Sequence, residues 1–229
     1  MTSLPIPDEP RYVEAHGLAA DPASWQRTLG AGGCVGSDDG SEPLICVWGD
    51  APVADVVALA NEHPAHALLV PRERTDLVEA LRGAGRAVTR AVLHTHPDPD
   101  AMPDYEGAAP LPADADLSNL PAELREELDE VRSQRTIWAA WVDGEPVSFA
   151  YAPTFSARWF DVSVDTVPGA RQLGLATIVS AAMIRAERAQ GREPVWGALE
   201  DNVASLRLAR RLGFEPVDEL WVAAPRESE

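Results

Sequence analysis

No stretch of 18 apolar residues occurs anywhere in the chain, which excludes a transmembrane helix. The first residues, Met1 to Glu9, lack a basic region followed by an apolar core, so no secretory signal is expected and a cytoplasmic location follows by default. Cysteine is nearly absent. Cys34 and Cys46 are too few for a disulfide framework and have no metal-ligand spacing, so both read as free thiols. Bases are scarce as well: 19 stand against 37 acidic residues, a formal net charge of −18. Such a field repels nucleic acid and anionic membranes, whose recognition needs clustered cations. It attracts amines and opposes a polyanionic ligand, which would need local shielding. There is no Gly-x-x-x-x-Gly-Lys phosphate loop and no Gly-x-Ser-x-Gly elbow. What remains is an apolar content of 45% over 229 residues, enough for one large or two small globular domains.

The most informative stretch runs from Val162 to Thr177. β-Branched residues alternate up to Thr166, and Pro168-Gly169 ends the strand. From Gly174 onward Leu175, Val179, Ala182, Met183 and Ala186 recur at helical spacing. The helix therefore opens where the amides of Gln172, Leu173, Gly174, Leu175 and Ala176 are unpaired. Free N–H groups and the positive end of the macrodipole favour a phosphate there by up to about 2 kcal/mol, and Gly174 permits close backbone approach.

About 25 residues further on comes a second pattern. A strand from Pro194 to Leu199 is followed by Glu200-Asp201-Asn202-Val203-Ala204-Ser205, a helix, and Arg211-Leu212-Gly213-Phe214. Together, Arg171-x-x-Gly174-x-Ala176 and this later segment resemble the two cofactor motifs of the GNAT superfamily of N-acyltransferases, over about Leu120 to Ala223. The resemblance implies an α/β (α+β) fold with a mixed sheet flanked by helices, splayed between the strand before the loop and the strand after the helix. It implies acetyl-CoA as acyl donor, held by Val164, Asp165, Thr166, the loop Arg171 to Ala176, Asn202 and Ser205. A backbone N–H within Val164 to Thr166 would polarise the thioester carbonyl. Asn202 also suits an N-cap of the last helix.

Before this region, a strand (Leu44 to Trp48), a helix starting near Asp50 with Val53, Val56, Val57 and Ala60 on one face, a strand (His66 to Val70), a helix (Thr75 to Arg82) and a strand (Ala87 to His94) predict a small parallel βαβαβ layer. Residues 1–42 are rich in Gly, Pro and Asp, with short helices expected near Arg11 to His16 and Ala23 to Leu29. Pro97 to Ala115 holds five prolines and many acids, which reads as a tether. The expected domains are 1–97, a linker at 98–115 and the acyltransferase domain at 116–229. Within the last, a helix begins at Pro121 with Leu124, Leu128 and Val131 on one side. Strands at 136–142 and 146–152 join at Asp143-Gly144, a hairpin signal, and a strand spans 158–166.

The chemistry requires a neutral amine. A lysine-like amine is mostly charged at pH 7, a penalty of about 4 to 5 kcal/mol. The family commonly has a Tyr seven residues after the motif Asn and a Glu five residues before it; here those positions are Ala209 and Gly197. Asp161 and Asp165, on one face of the strand with Ser163, and Glu200 are the candidate catalytic carboxylates. The expected reaction is N-acetyl transfer to a small primary amine, without metal, nucleic acid or membrane; a homodimer stays open. A non-catalytic acyl-CoA-binding regulatory module is one alternative. The other is a metal-dependent hydrolase using His94 and His96, although this pair lacks the third ligand zinc needs.

Overall fold

The computed structural model describes residues 5–38 and 43–226. They form two compact units: the described residues up to 93 with 197–203 and 216–226, and residues 94–196 with 204–215. The units are not consecutive in sequence, because the C-terminal strand returns to the first.

In the first unit the strands are β1 (Trp25–Leu29), β2 (Ala31–Ser37), β3 (Leu44–Asp50), β4 (Ala67–Pro71), β5 (Ala87–Thr95) and a C-terminal strand, Glu215–Ala224. The helices are α1 (Val13–Ala20), α2 (Val53–Glu62) and α3 (Thr75–Gly83). β3 is buried on both faces. Ile45 and Val47 pack with Val56, Leu59, Leu77 and Leu81, and Cys46 and Trp48 pack with Tyr12 and Ala15. Each fully buried aliphatic side chain contributes about 1.5–3 kcal/mol.

Two expectations fail here. The segment 23–29 is not a helix but β1, paired antiparallel with β2 around Gly30, whose φ is +57°. Its partner is hard to read as a strand because glycine is depleted in strands. These glycines instead make room for tryptophans: a Cβ at Gly33 would lie 2.6 Å from the Trp48 ring, and one at Gly36 would lie 2.5 Å from the Trp25 ring. The βαβαβ layer is also only partly parallel. β3 and β4 are parallel neighbours, but the C-terminal strand sits between β4 and β5 and runs antiparallel to β4.

In the second unit come β6 (Ala109–Pro110), α4 (Ala122–Arg132), β7 (Trp138–Val142), β8 (Glu145–Tyr151), β9 (Trp159–Asp161), β10 (Ser163–Thr166), α5 (Leu175–Arg188), β11 (Glu193–Leu199) and α6 (Val203–Arg211). The C-terminal strand is β12. An antiparallel sheet has the order β10-β8-β7-β6. Asp143 and Gly144 both have positive φ, 52° and 88°, as a two-residue hairpin turn between β7 and β8 requires. α4 lays Leu124, Leu128 and Val131 against Ile137, Phe149 and Tyr151, while α5 packs on the opposite face of the same sheet.

The stretch 98–115 is not a free tether. Ala109 pairs with Ala139 of β7, and Met102 is buried. Arg188 forks onto Asp100 at 3.0 Å through each of two nitrogens, and Arg185 pairs with Asp104. Part of the acidic run is therefore answered by arginines on α5, at an exposed-pair value of about 0–1 kcal/mol each.

Candidate active site

The strand expected over 158–166 breaks at Val162. On one side of the break β9 pairs parallel with β11, Trp159 to Asp161 facing Glu193 to Val195. Val162 still donates its N–H to Val195 O at 3.0 Å. Beyond it, β10 joins β8 instead, with Ser163 opposite Tyr151 and Asp165 opposite Phe149. N–H directions alternate along an extended strand. Since the Val162 N–H serves β11 and the Val167 N–H serves Val147 O of β8 at 2.9 Å, the amides of Val164 and Thr166 point away from β8. Among the described residues no backbone acceptor meets them. Two donors lie on a strand that has left its former neighbour.

The loop after β10 is set by backbone chemistry. Pro168–Ala170 form a 3-10 turn, and Arg171 Nε donates to Thr166 O at 3.3 Å, which ties the loop to the strand end. Gln172 and Gly174 both have left-handed φ, 67° and 82°. Gly174 caps α5, and its carbonyl takes the first intrahelical bonds, from Thr177 at 3.1 Å and Ile178 at 3.3 Å. Hence the amides of Gln172 to Ala176 have no backbone acceptor among the described residues. No acidic side chain occupies the first turn of α5, and a Cβ on Gly174 would touch nothing within 4 Å. Open space, several free N–H groups and a helix dipole make an anion site.

β8, paired with β10, carries a buried phenol beside Ser163. Tyr151, 1% exposed, donates its hydroxyl to the Glu127 carboxylate of α4. Burial first, and then this bond, push the phenol well above its ordinary pKa, so it stays protonated. The half-buried Asp165 carboxyl is also pushed up, by burial and then by the negative charge of Glu127, with Arg171 partly offsetting both. Ser148 donates to Asp165 O at 3.3 Å, and its Oγ lies 2.7 Å from Thr166 Oγ1. Neither Tyr151 nor Glu127 stands out in a motif. Glu127 does have a signature, since it falls between Leu124, Leu128 and Val131 at helical spacing, a carboxylate on the edge of an apolar stripe.

The remaining predicted residues scatter. Val164 to Thr166 and Arg171 to Ala176 all lie in the second unit, tied together by the Arg171 bond to Thr166 O. Asp161 lies in β9, where the strand is still paired with β11. Glu200 forms an ion pair with Arg90 at 2.9 Å, and its amide donates to Arg90 O at 2.9 Å, which gives it a framework role in the first unit. Asn202 is also in the first unit, with its amide on Leu199 O at 3.0 Å. Ser205, on α6, accepts the indole N–H of Trp196 at 2.9 Å. Ala209 is fully buried, so the position holding the family's tyrosine is a packing position here. A Cβ at Gly197 would meet Leu93 at 3.3 Å, which crowds the position of the family's glutamate.

The histidine pair is structural. His96 accepts the Asp98 amide on Nδ1 at 3.1 Å and donates Nε2–H to Leu212 O at 2.9 Å, so both ring nitrogens are engaged. It also meets Phe214 edge-on, with centroids 5.4 Å apart. His94 is 2% exposed and donates Nδ1–H to Trp196 O at 3.3 Å. Among the described residues neither belongs to a group of three metal-ligating side chains.

Residues 138–222, from the start of β7 into β12, match the family model of the GNAT acetyltransferases. This segment is a GNAT domain. No curated protein matches the chain. Solved structures with a similar fold include a GCN5-related N-acetyltransferase from Kribbella flavida, at 19% identity and a TM-score of 0.65, covering 95% of each chain. A GCN5-related N-acetyltransferase-like protein from Streptococcus suis 89/1591 has 17% identity and a TM-score of 0.63, covering 95% of this chain and 98% of its own. A tandem GNAT protein from the clavulanic acid biosynthesis pathway has 15% identity and a TM-score of 0.53, covering 96% and 95%. The likeness thus runs through both units, well beyond the residues that the GNAT model matches. No helix among the described residues is long and apolar enough to cross a membrane.

Proposed function

We propose that the GNAT domain moves an acetyl group from acetyl-CoA to the primary amine of a small acceptor. The observation that carries this reading is the departure of β10 from β11 at Val162, directly followed by the amide-lined start of α5. Acetyl-CoA supplies an activated acyl group on a thiol of good leaving ability. The residues fit such a donor: the amides of Gln172 to Ala176, with Arg171 beside them, take the pyrophosphate, and the Val164 or Thr166 N–H takes the carbonyl oxygen as its charge grows. The acceptor amine forms the new C–N bond as the C–S bond breaks.

Asp165 takes the amine's proton, directly or through water. Its raised pKa makes it a stronger base than an ordinary aspartate. Tyr151 and Glu127 hold that face of the sheet, and Glu127 sets the Asp165 charge balance. The departing thiolate, of pKa about 8.5, needs little help and takes a proton from water. The buried Ala209 and the crowded Gly197 favour a second reading, a module that binds acyl-CoA without turnover.

Amide hydrogen exchange tests the donor site. Adding CoA is expected to slow exchange in the peptide spanning Gln172 to Ala176 and to leave α2 and α3 unchanged. Protection confined to other segments contradicts the assignment.

A further inference from the structure

A cluster in the first unit, independent of the acyltransferase reading, has the chemistry of a metal site. His63 ends α2 and His66 precedes β4, and the His66 amide donates to His63 O at 3.2 Å, so a tight turn brings the two rings to centroids 4.8 Å apart. Asp38 follows β2 and reaches the same place. Its Oδ1 lies 3.4 Å from His63 Nδ1 and 2.9 Å from His66 Nε2. One donor atom from each of the three residues falls within 4.8 Å of the others. Bonds of about 2.0–2.2 Å around a tetrahedral zinc ion separate neighbouring donors by about 3.3 Å. The two measured separations bracket that value.

Burial supplies a second observation. His66 is 6% exposed, and neither of its ring nitrogens has a hydrogen-bond partner. Nε2 lies 2.9 Å from the Asp38 carboxylate, at ion-pair distance, without forming a hydrogen bond to it. A buried polar atom without a partner is costly, and an ion is one of its recognised explanations. The rings are also held in place. Trp25 stacks on His63 at 4.7 Å. The buried Arg86 donates to His66 O at 2.6 Å, to His63 O at 2.9 Å and to Ala60 O, which fixes the backbone of the turn. The positive charge of Arg86 opposes a cation; Asp38 opposes that effect, and so does Glu62, whose carboxylate lies 3.8 Å from His63 Nε2 and is itself paired with Arg27.

We propose that Asp38, His63 and His66 bind a divalent transition-metal ion of the zinc class, which clips the end of β2 to the turn between α2 and β4. Two imidazoles and one carboxylate suit zinc, cobalt or nickel and not the hard, oxygen-seeking calcium or magnesium. The spacing His63-x-x-His66 gave no hint alone, because the third donor is distant in sequence and faces them only after β2 has paired.

The test uses the full chain stripped with chelator and then titrated with zinc chloride. One saturable site per chain is expected, with a melting temperature raised by about 5 °C at a hundredfold excess over Kd. Cobalt should give the intense visible bands of a four-coordinate site, and magnesium should shift nothing. His63→Gln and Asp38→Asn should each weaken zinc binding at least tenfold, whereas His94→Gln and His96→Gln leave it within twofold. The Asp38 side chain is 62% exposed, so Asp38→Asn keeps the fold even where a histidine variant does not. Absence of saturable zinc binding, or binding unchanged in both Asp38→Asn and His63→Gln, overturns the proposal.

Discussion

Gly174→Glu is expected to weaken CoA binding at least a hundredfold while the chain stays folded. Two effects combine. Gly174 has φ 82° and ψ 0°, a left-handed conformation that costs a residue with a Cβ about 1–2 kcal/mol. The side chain itself clashes with no protein atom, since nothing lies within 4 Å of a Cβ there. It extends instead into the space that the free amides of Gln172 to Ala176 face, where it fills volume and sets a negative charge against a polyphosphate. A hundredfold loss is about 2.7 kcal/mol, comparable to removing the helix-terminus contribution and adding repulsion. Gly174→Ala isolates the backbone strain and should lose much less. Calorimetry on both variants checks this, and an unchanged affinity in Gly174→Glu removes the loop from the donor site.

Asp165→Asn is expected to lower turnover at pH 7 by about 10²-fold or more, the usual scale for a general base, and by clearly less at pH 9, where more of the acceptor amine is already neutral. The acid limb of the wild-type pH–rate profile should lie above that of an ordinary aspartate, because burial and Glu127 raise this carboxyl. Glu127→Gln removes the neighbouring negative charge and should move that limb to lower pH. Stability has the opposite sign. A carboxyl raised in the folded state favours folding when protonated, and this contribution is lost as pH rises through the raised pKa. Asp165→Asn should therefore melt no lower than wild type at pH 7, and in fact slightly higher, which separates lost chemistry from lost fold. An Asn variant with a wild-type pH–rate profile would show that the proton leaves by another route.

Much of the second unit was legible because its signals are local. Asp143-Gly144 adopts the positive φ pair that its hairpin needs, and the change of period at Gly174 falls one residue before α5 begins. What was not legible depends on distant partners. The strand run 158–166 has no internal mark at Val162; the break arises because two different strands, β11 and β8, compete for its two ends. β2 hides behind glycines that only the Trp25 and Trp48 rings explain, and β1 is its partner. Similarly, the acidic run at 98–115 reads as solvated until Arg185 and Arg188, more than 80 residues on, are seen to answer it. In the candidate site the amide donors follow from the loop motif. The Tyr151–Glu127 pair depends on α4 packing against β8, and Glu200 reads as catalytic only until Arg90 is placed beside it.

Thiol release from acetyl-CoA by the full chain, measured against a panel of small primary amines with mass analysis of the products, tests the central claim most directly. All 19 basic residues are arginine, so no lysine on the protein can take the acyl group and blur the result. The expected result is release that saturates in acetyl-CoA, requires an amine, rises with pH as the amine loses its proton, and yields an acetylated amine. Binding of acetyl-CoA with no amine-dependent release across the panel would contradict the account and leave a module that holds the thioester without using it.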